Sequence, residues 1–179
     1  MSDSNRLIEG NPAAAVRLHV YEDLQCGDCA RLQKLIDERI LPALGKRIAV
    51  EYFDFPLPKH NWARAAAIAA RHFERISAKA GGAFRREVVG NIAQVSASSI
   101  ETWIRVFARY HSLDGGAAIA ALSEAELAAA VDRDIGSGID RGVRKTPTVF
   151  LGSIAFIETF VYEDLATMIE SALRREESR

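Results

Sequence analysis

The chain has 179 residues, carries 23 Lys plus Arg against 24 Asp plus Glu, and is 49% hydrophobic, a profile that excludes a disordered tail and suits a soluble globular protein. Its length fits one domain, or a small domain with an insertion, and is enough to bury a core. A formal net charge of −1 exerts no overall pull on phosphate or on anionic membrane surfaces, so nucleic-acid binding is not expected.

The opening segment, Met1 to Arg6, shows no apolar run behind a basic start, and no stretch reaches the roughly 20 consecutive apolar residues of a membrane span. As it stands the chain reads as cytoplasmic and without membrane insertion. If an export signal has been removed from it, it reads as periplasmic or otherwise extracytoplasmic. Val16 to Tyr21 then alternate, with Val16, Leu18 and Val20 on one face and Arg17, His19 and Tyr21 on the other, which predicts a strand.

Both cysteines lie in one unit, Cys26-Gly27-Asp28-Cys29, so they clamp no distant parts of the chain together. Leu32, Leu35, Ile36 and Ile40 follow at helical spacing, with Pro42 and Gly45 as stop signals. The pair therefore falls where a strand turns into a helix. A second strand is predicted at Ile48–Phe55, ended by Pro56 and Pro58. A right-handed crossover would make the two strands parallel.

From Asn61 to about Arg141 the texture is Ala-rich and helical, divided by Gly81-Gly82 and Gly115-Gly116. One helix places Ile100, Trp103, Ile104, Phe107 and Ala108 on a stripe, with Ser98 or Ser99 as cap. Another starts at Ser123 with Glu126 in a capping-box pattern. Gly136, Gly138 and Gly142 read as a helix exit and hinge, since a dinucleotide loop needs a strand before and a helix after. Extended texture returns at Thr146–Leu151 and Ile154–Ile157, joined by Gly152-Ser153 as a hairpin. The last element puts Leu165, Met168, Ile169, Ala172 and Leu173 on one helical face.

Two cysteines one helical turn apart can bring their sulfurs to bonding distance and open or close a disulfide. Cys26, at the helix cap, has its thiolate favoured by unpaired N–H groups and the positive end of the dipole. It is the expected nucleophile, and Cys29 the expected resolving thiol. Zinc would need two further ligands, and His19, His60, His72 and His111 are scattered without metal-type spacing. His60 reads as opening the first inserted helix and His111 as closing the Trp103 helix. Trp62, Trp103, Phe73, Phe84 and Phe107 read as core.

The Tyr21–Cys29 segment, the Pro56-Leu57-Pro58-Lys59-His60 exit into Ala-rich helices and the Gly142–Gly152 segment with its Thr146-Pro147 step together resemble the DsbA-like branch of the thioredoxin superfamily, over about residues 14–173. The resemblance implies an α/β thioredoxin fold with an inserted all-helical domain: residues 1–57 and 142–179 thioredoxin-like, 58–141 the insertion. It also implies a cis Thr146–Pro147 bond facing the cysteines, where Thr146 and Pro147 would dock an extended substrate backbone as an added strand.

The implied activity is protein thiol-disulfide exchange without metal or organic cofactor. Its partners are unfolded or flexible cysteine-containing polypeptides and a redox partner protein, and the chain is expected to be a monomer. Gly27 and Asp28 are the candidates for tuning the pair. Strongly oxidising relatives have histidine where this chain has Asp28, and a carboxylate there disfavours the thiolate, which predicts a milder oxidant. Many thioredoxin-like proteins place a buried acid six residues before the nucleophile, where this chain has Val20. Glu22 and Asp23 are the nearest acids; they are expected to be solvated, although either could take the Cys29 proton from beneath the site. Arg144 and Lys145 read as solvated cations. The alternatives are a redox-inactive peptide-binding or chaperone module, and a DsbA-like glutathione-dependent transferase or isomerase, against which the retained Cys29 argues.

Overall fold

The computed structural model describes residues 6–178. Met1–Asn5, part of the stretch read for a signal peptide, and Arg179 lie outside the described residues. In chain order the elements are β1 (Ile8–Gly10), β2 (Val16–Glu22), α1 (Gly27–Leu35), α2 (Leu41–Leu44), β3 (Ile48–Asp54), α3 (Ala63–Ile76), α4 (Ala78–Gly90), α5 (Ile100–Tyr110), α6 (Gly115–Ala120), α7 (Ala125–Asp140), β4 (Thr148–Leu151), β5 (Ile154–Ile157) and α8 (Tyr162–Glu177).

The strands form one mixed sheet in the order β1-β3-β2-β4-β5. β2 and β3 are parallel, in register from Val16 opposite Ile48 to Glu22 opposite Asp54, as a crossover through α1 requires. β1, β4 and β5 add antiparallel neighbours. β1 has no counterpart in the sequence reading, because three residues are too few to show a period.

The alternation of β2 sorts its side chains. Val16, Leu18 and Val20 enter a core with Leu32, Ile36 and Ile40 below and Leu165, Ile169 and Leu173 of α8. Tyr21 enters the opposite face with Phe53, Phe55 and Phe150. Between β3 and β4 the chain is helical, and Trp62, Phe73, Phe84, Ile104 and Phe107 form a separate core there, with Trp103 packed at its edge. The architecture is a thioredoxin fold carrying an all-helical insertion.

Four local expectations are corrected. Pro42 does not stop the helix: Ile36–Ile40 widen into a π-helical turn, in which the Leu41 N–H reaches the Ile36 carbonyl, and Pro42 then sits in the first turn of α2. Gly81 and Gly82 do not divide helices but lie inside α4, where Gly81 lets α3 pack close: a Cβ there would stand 2.2 Å from Cγ of Glu74. α7 starts after Glu124, not at Ser123, and no side chain caps it; Glu124 instead bonds Arg75. Gly136 and Gly138 are within α7, where Gly138 admits the Phe55 ring, which a Cβ would meet at 2.6 Å.

Candidate functional site: a dithiol at a helix cap

β2 ends at Glu22, and a turn brings the Cys26 N–H to the Asp23 carbonyl at 2.9 Å. Cys26 is the N-cap of α1, with extended backbone (φ −93°, ψ 122°), and its carbonyl accepts the Ala30 N–H at 3.1 Å. No side chain caps the helix, so its amino-terminal field faces the cysteine pair. Cys29 lies one turn further in, 1% exposed against 8% for Cys26, and its Sγ accepts the Asp23 N–H at 3.3 Å. Both thiols are free.

Their environments push the two acidities apart. Hydrogen bonds from the Cys29 thiol and the Cys29 backbone N–H stabilise the Cys26 thiolate, and its pKa falls to about 6 despite burial and the nearby Asp23 carboxylate. Burial pushes Cys29 well up, and the adjacent Cys26 sulfur adds to the rise. One sulfur is thus a thiolate at neutral pH and the other a thiol.

The Thr146–Pro147 bond is cis, and the Cys26 Sγ lies 3.3 Å from the Thr146 carbonyl oxygen, bridging 120 residues of sequence. Thr146 is 3% exposed, and its side chain adds to the hydrogen bonds that lower the Cys26 pKa. Cys26, Thr146, Leu57, Pro58 and Lys59 line one cavity of about 570 Å³ together with Asp28, Arg144, Lys145 and Glu158.

Glu22 and Asp23 are buried, not solvated as expected. Asp23 is 1% exposed, and its carboxylate accepts the Gln25 and Leu57 N–H groups, each at 2.7 Å, and bonds His60 Nδ1 at 2.7 Å. His60 therefore belongs to the loop ahead of α3, where it fastens the segment after β3 to the Cys26 turn, and does not open the helix. Glu22 meets the buried guanidinium of Arg85 at 2.8 Å, and Arg85 also holds Asp54 and Glu74. Burial raises Glu22 to about 7, against the pull of Arg85. The strand parity gave a signal for Glu22, which continues the inward series Val16, Leu18, Val20; nothing local marked the burial of Asp23 or its bond to His60.

The remaining expected residues are peripheral. Gly27 is exposed, with open space where a Cβ would stand. Asp28 forms an ion pair with Arg31, and the carboxylate acting against the Cys26 thiolate is Asp23. Arg144 and Lys145 are exposed on the cavity rim. Among the described residues no cluster of His, Cys, Asp and Glu has the makings of a metal site, and no helix is long and apolar enough to cross a membrane.

A family model described as thioredoxin matches residues 2–171. No curated protein matches the chain. The crystal structure of alpha-DsbA1 from Wolbachia pipientis superposes with a TM-score of 0.83 at 16% identity, covering 96% of this chain and 92% of that one. Oxidised BdbD from Bacillus subtilis gives 0.83 at 15% identity, with 95% and 94% covered. A thioredoxin-like oxidoreductase from Silicibacter pomeroyi DSS-3 gives 0.76 at 21% identity, with 96% and 94% covered. At these identities the likeness is one of fold, and the fold is DsbA-like.

Proposed function

Since the chain belongs to the thioredoxin family, we propose that it is a thiol-disulfide oxidoreductase acting on unfolded or flexible cysteine-containing polypeptides. Cys26 attacks, Cys29 resolves, and Thr146 with Pro147 docks the substrate backbone. The observation that carries this reading is the contact of the Cys26 sulfur with the Thr146 carbonyl, 3.3 Å, which sets the more acidic sulfur beside the backbone that a substrate strand would meet.

In the oxidising direction the pair starts as a disulfide. A substrate thiolate attacks the Cys26 sulfur, the Cys26–Cys29 bond breaks, and Cys29 leaves and takes up a proton. A second substrate thiolate then attacks the substrate sulfur of the mixed disulfide. Its disulfide forms and Cys26 departs as a thiolate, a good leaving group because its pKa is about 6. The substrate loses two electrons and the pair gains them; a redox partner protein removes them. Run backwards, the same steps reduce a substrate disulfide.

Glu22, buried at the end of β2 with its pKa raised to about 7, is the group suited to exchange a proton with Cys29 at neutral pH. The pair is a mild oxidant in this reading, because the buried Asp23 carboxylate works against the Cys26 thiolate. The potential is measured by titration against glutathione.

Insulin reduction and refolding of a reduced cysteine-containing protein test the reading. The wild type is expected to support both and Cys26→Ser neither, while Cys29→Ser accumulates a mixed disulfide. If wild type and Cys26→Ser behave alike in both assays, the chain is a peptide-binding module and the oxidoreductase reading fails.

A further inference from the structure

The cavity over Cys26 is unevenly charged. Its wall carries three cations, Lys59, Arg144 and Lys145, and two carboxylates, Asp28 and Glu158. Both carboxylates are already engaged, Asp28 with Arg31 and Glu158 with Lys145 Nζ at 2.9 Å. Among the described residues Arg144 bonds the Val143 carbonyl, at 2.8 Å, and neither Arg144 nor Lys59 forms an ion pair. Two exposed cations, neither ion-paired among the described residues, thus flank Cys26 in a chain whose net charge is −1.

A substrate strand laid along Thr146 advances about 3.3 Å per residue, so the side chains one or two positions from its cysteine fall within several ångströms of the cavity rim. We propose that Lys59 and Arg144 are specificity-determining residues that select substrate cysteines flanked by an acidic residue. This rests on the redox reading of the Cys26 site. The attraction is that of exposed ion pairs, so the selectivity is modest, roughly three- to tenfold, and is screened by salt.

The test uses reduced full-length protein and symmetric disulfides of three short peptides differing only beside the cysteine, in Asp, Asn or Lys. The Cys26 thiolate attacks one peptide sulfur and expels a thiolate. Cys29 then attacks Cys26 and expels the second, so one peptide disulfide becomes two thiols as the protein forms its own disulfide. Comparing each peptide's rate in wild type with that in Lys59→Gln/Arg144→Gln and Lys59→Glu/Arg144→Glu cancels the peptides' intrinsic reactivity.

The Asp-to-Lys rate ratio is expected to fall about three- to tenfold in the glutamine variant, to fall further in the glutamate variant, and to shrink in wild type as salt is raised. A ratio equal in all three proteins overturns the proposal. Oxidised glutathione, run alongside, carries carboxylates on a smaller frame; a charge dependence seen with it and not with the peptides overturns the assignment to polypeptides. If no disulfide exchanges with the wild type, the redox reading itself falls, and the selectivity falls with it.

Discussion

The imidazole Nδ1 of His60 donates to the carboxylate of Asp23 at 2.7 Å, tying the segment that leaves β3 to the turn that carries Cys26. The same carboxylate takes the N–H groups of Gln25 and Leu57, and the backbone of Asp23 touches both cysteines, its carbonyl accepting from Cys26 and its N–H donating to Cys29. One buried acid therefore sets the geometry of the dithiol and opposes its charge. His60 is the donor from the neighbouring loop that offsets this.

Replacing His60 with Ala leaves the Asp23 carboxylate one partner short. The expected loss is about 1–3 kcal/mol in urea unfolding, with the Cys26 thiolate titrating higher than in wild type, read by ultraviolet absorbance of the thiolate. In wild type the half-point lies near pH 6, and Cys29 stays silent well beyond it. Because the folded pKa of Cys26 is below its ordinary value of 9.0, the thiolate stabilises the reduced protein fully above pH 9, and the gain is lost as pH falls through about 6. Unfolding of reduced wild type against Cys26→Ser across that window measures it; an unchanged titration in His60→Ala would break the link to Asp23.

Glu22 has the opposite sign. Its folded pKa, about 7, exceeds the ordinary 4.5, so the buried neutral acid favours the fold below pH 4.5, and this contribution disappears as pH rises through 7. Glu22→Gln keeps an acceptor for Arg85 without a titrating group. The stability difference between wild type and this variant is expected to move in the variant's favour between pH 4.5 and 7 and then level off. A flat difference in denaturant unfolding across that range would show that Glu22 does not titrate there.

Two glycines of α7, one crowded and one open, give a packing test. An added Cβ at Gly138 would meet the Phe55 ring at 2.6 Å and Tyr21 at 3.1 Å, whereas at Gly136 it would meet nothing within 4 Å. Gly138→Ala is expected to cost about 1–3 kcal/mol through forced repacking, and Gly136→Ala to gain up to about 1 kcal/mol from helix propensity. Thermal unfolding of the two variants side by side separates these outcomes, and equal effects would contradict the close approach of α7 to the sheet.

The chain's local order determined much of the fold and the dithiol. Period-two alternation marked Val16–Tyr21, one helical turn separated Cys26 from Cys29, and Gly152 marked the hairpin, since each depends on residues close enough in sequence to impose a repeat or a turn. The helical Gly81 and Gly138 escaped that reading, because what decides them is a neighbour from another element, Glu74 for the one and Phe55 for the other. Only the tertiary structure set Cys26 against Thr146, buried Asp23 under His60, and gathered Glu22, Asp54, Glu74 and Arg85 into one dry cluster. A charged side chain is stable away from water only when its partners surround it, and those partners come from strands and helices far apart in the chain.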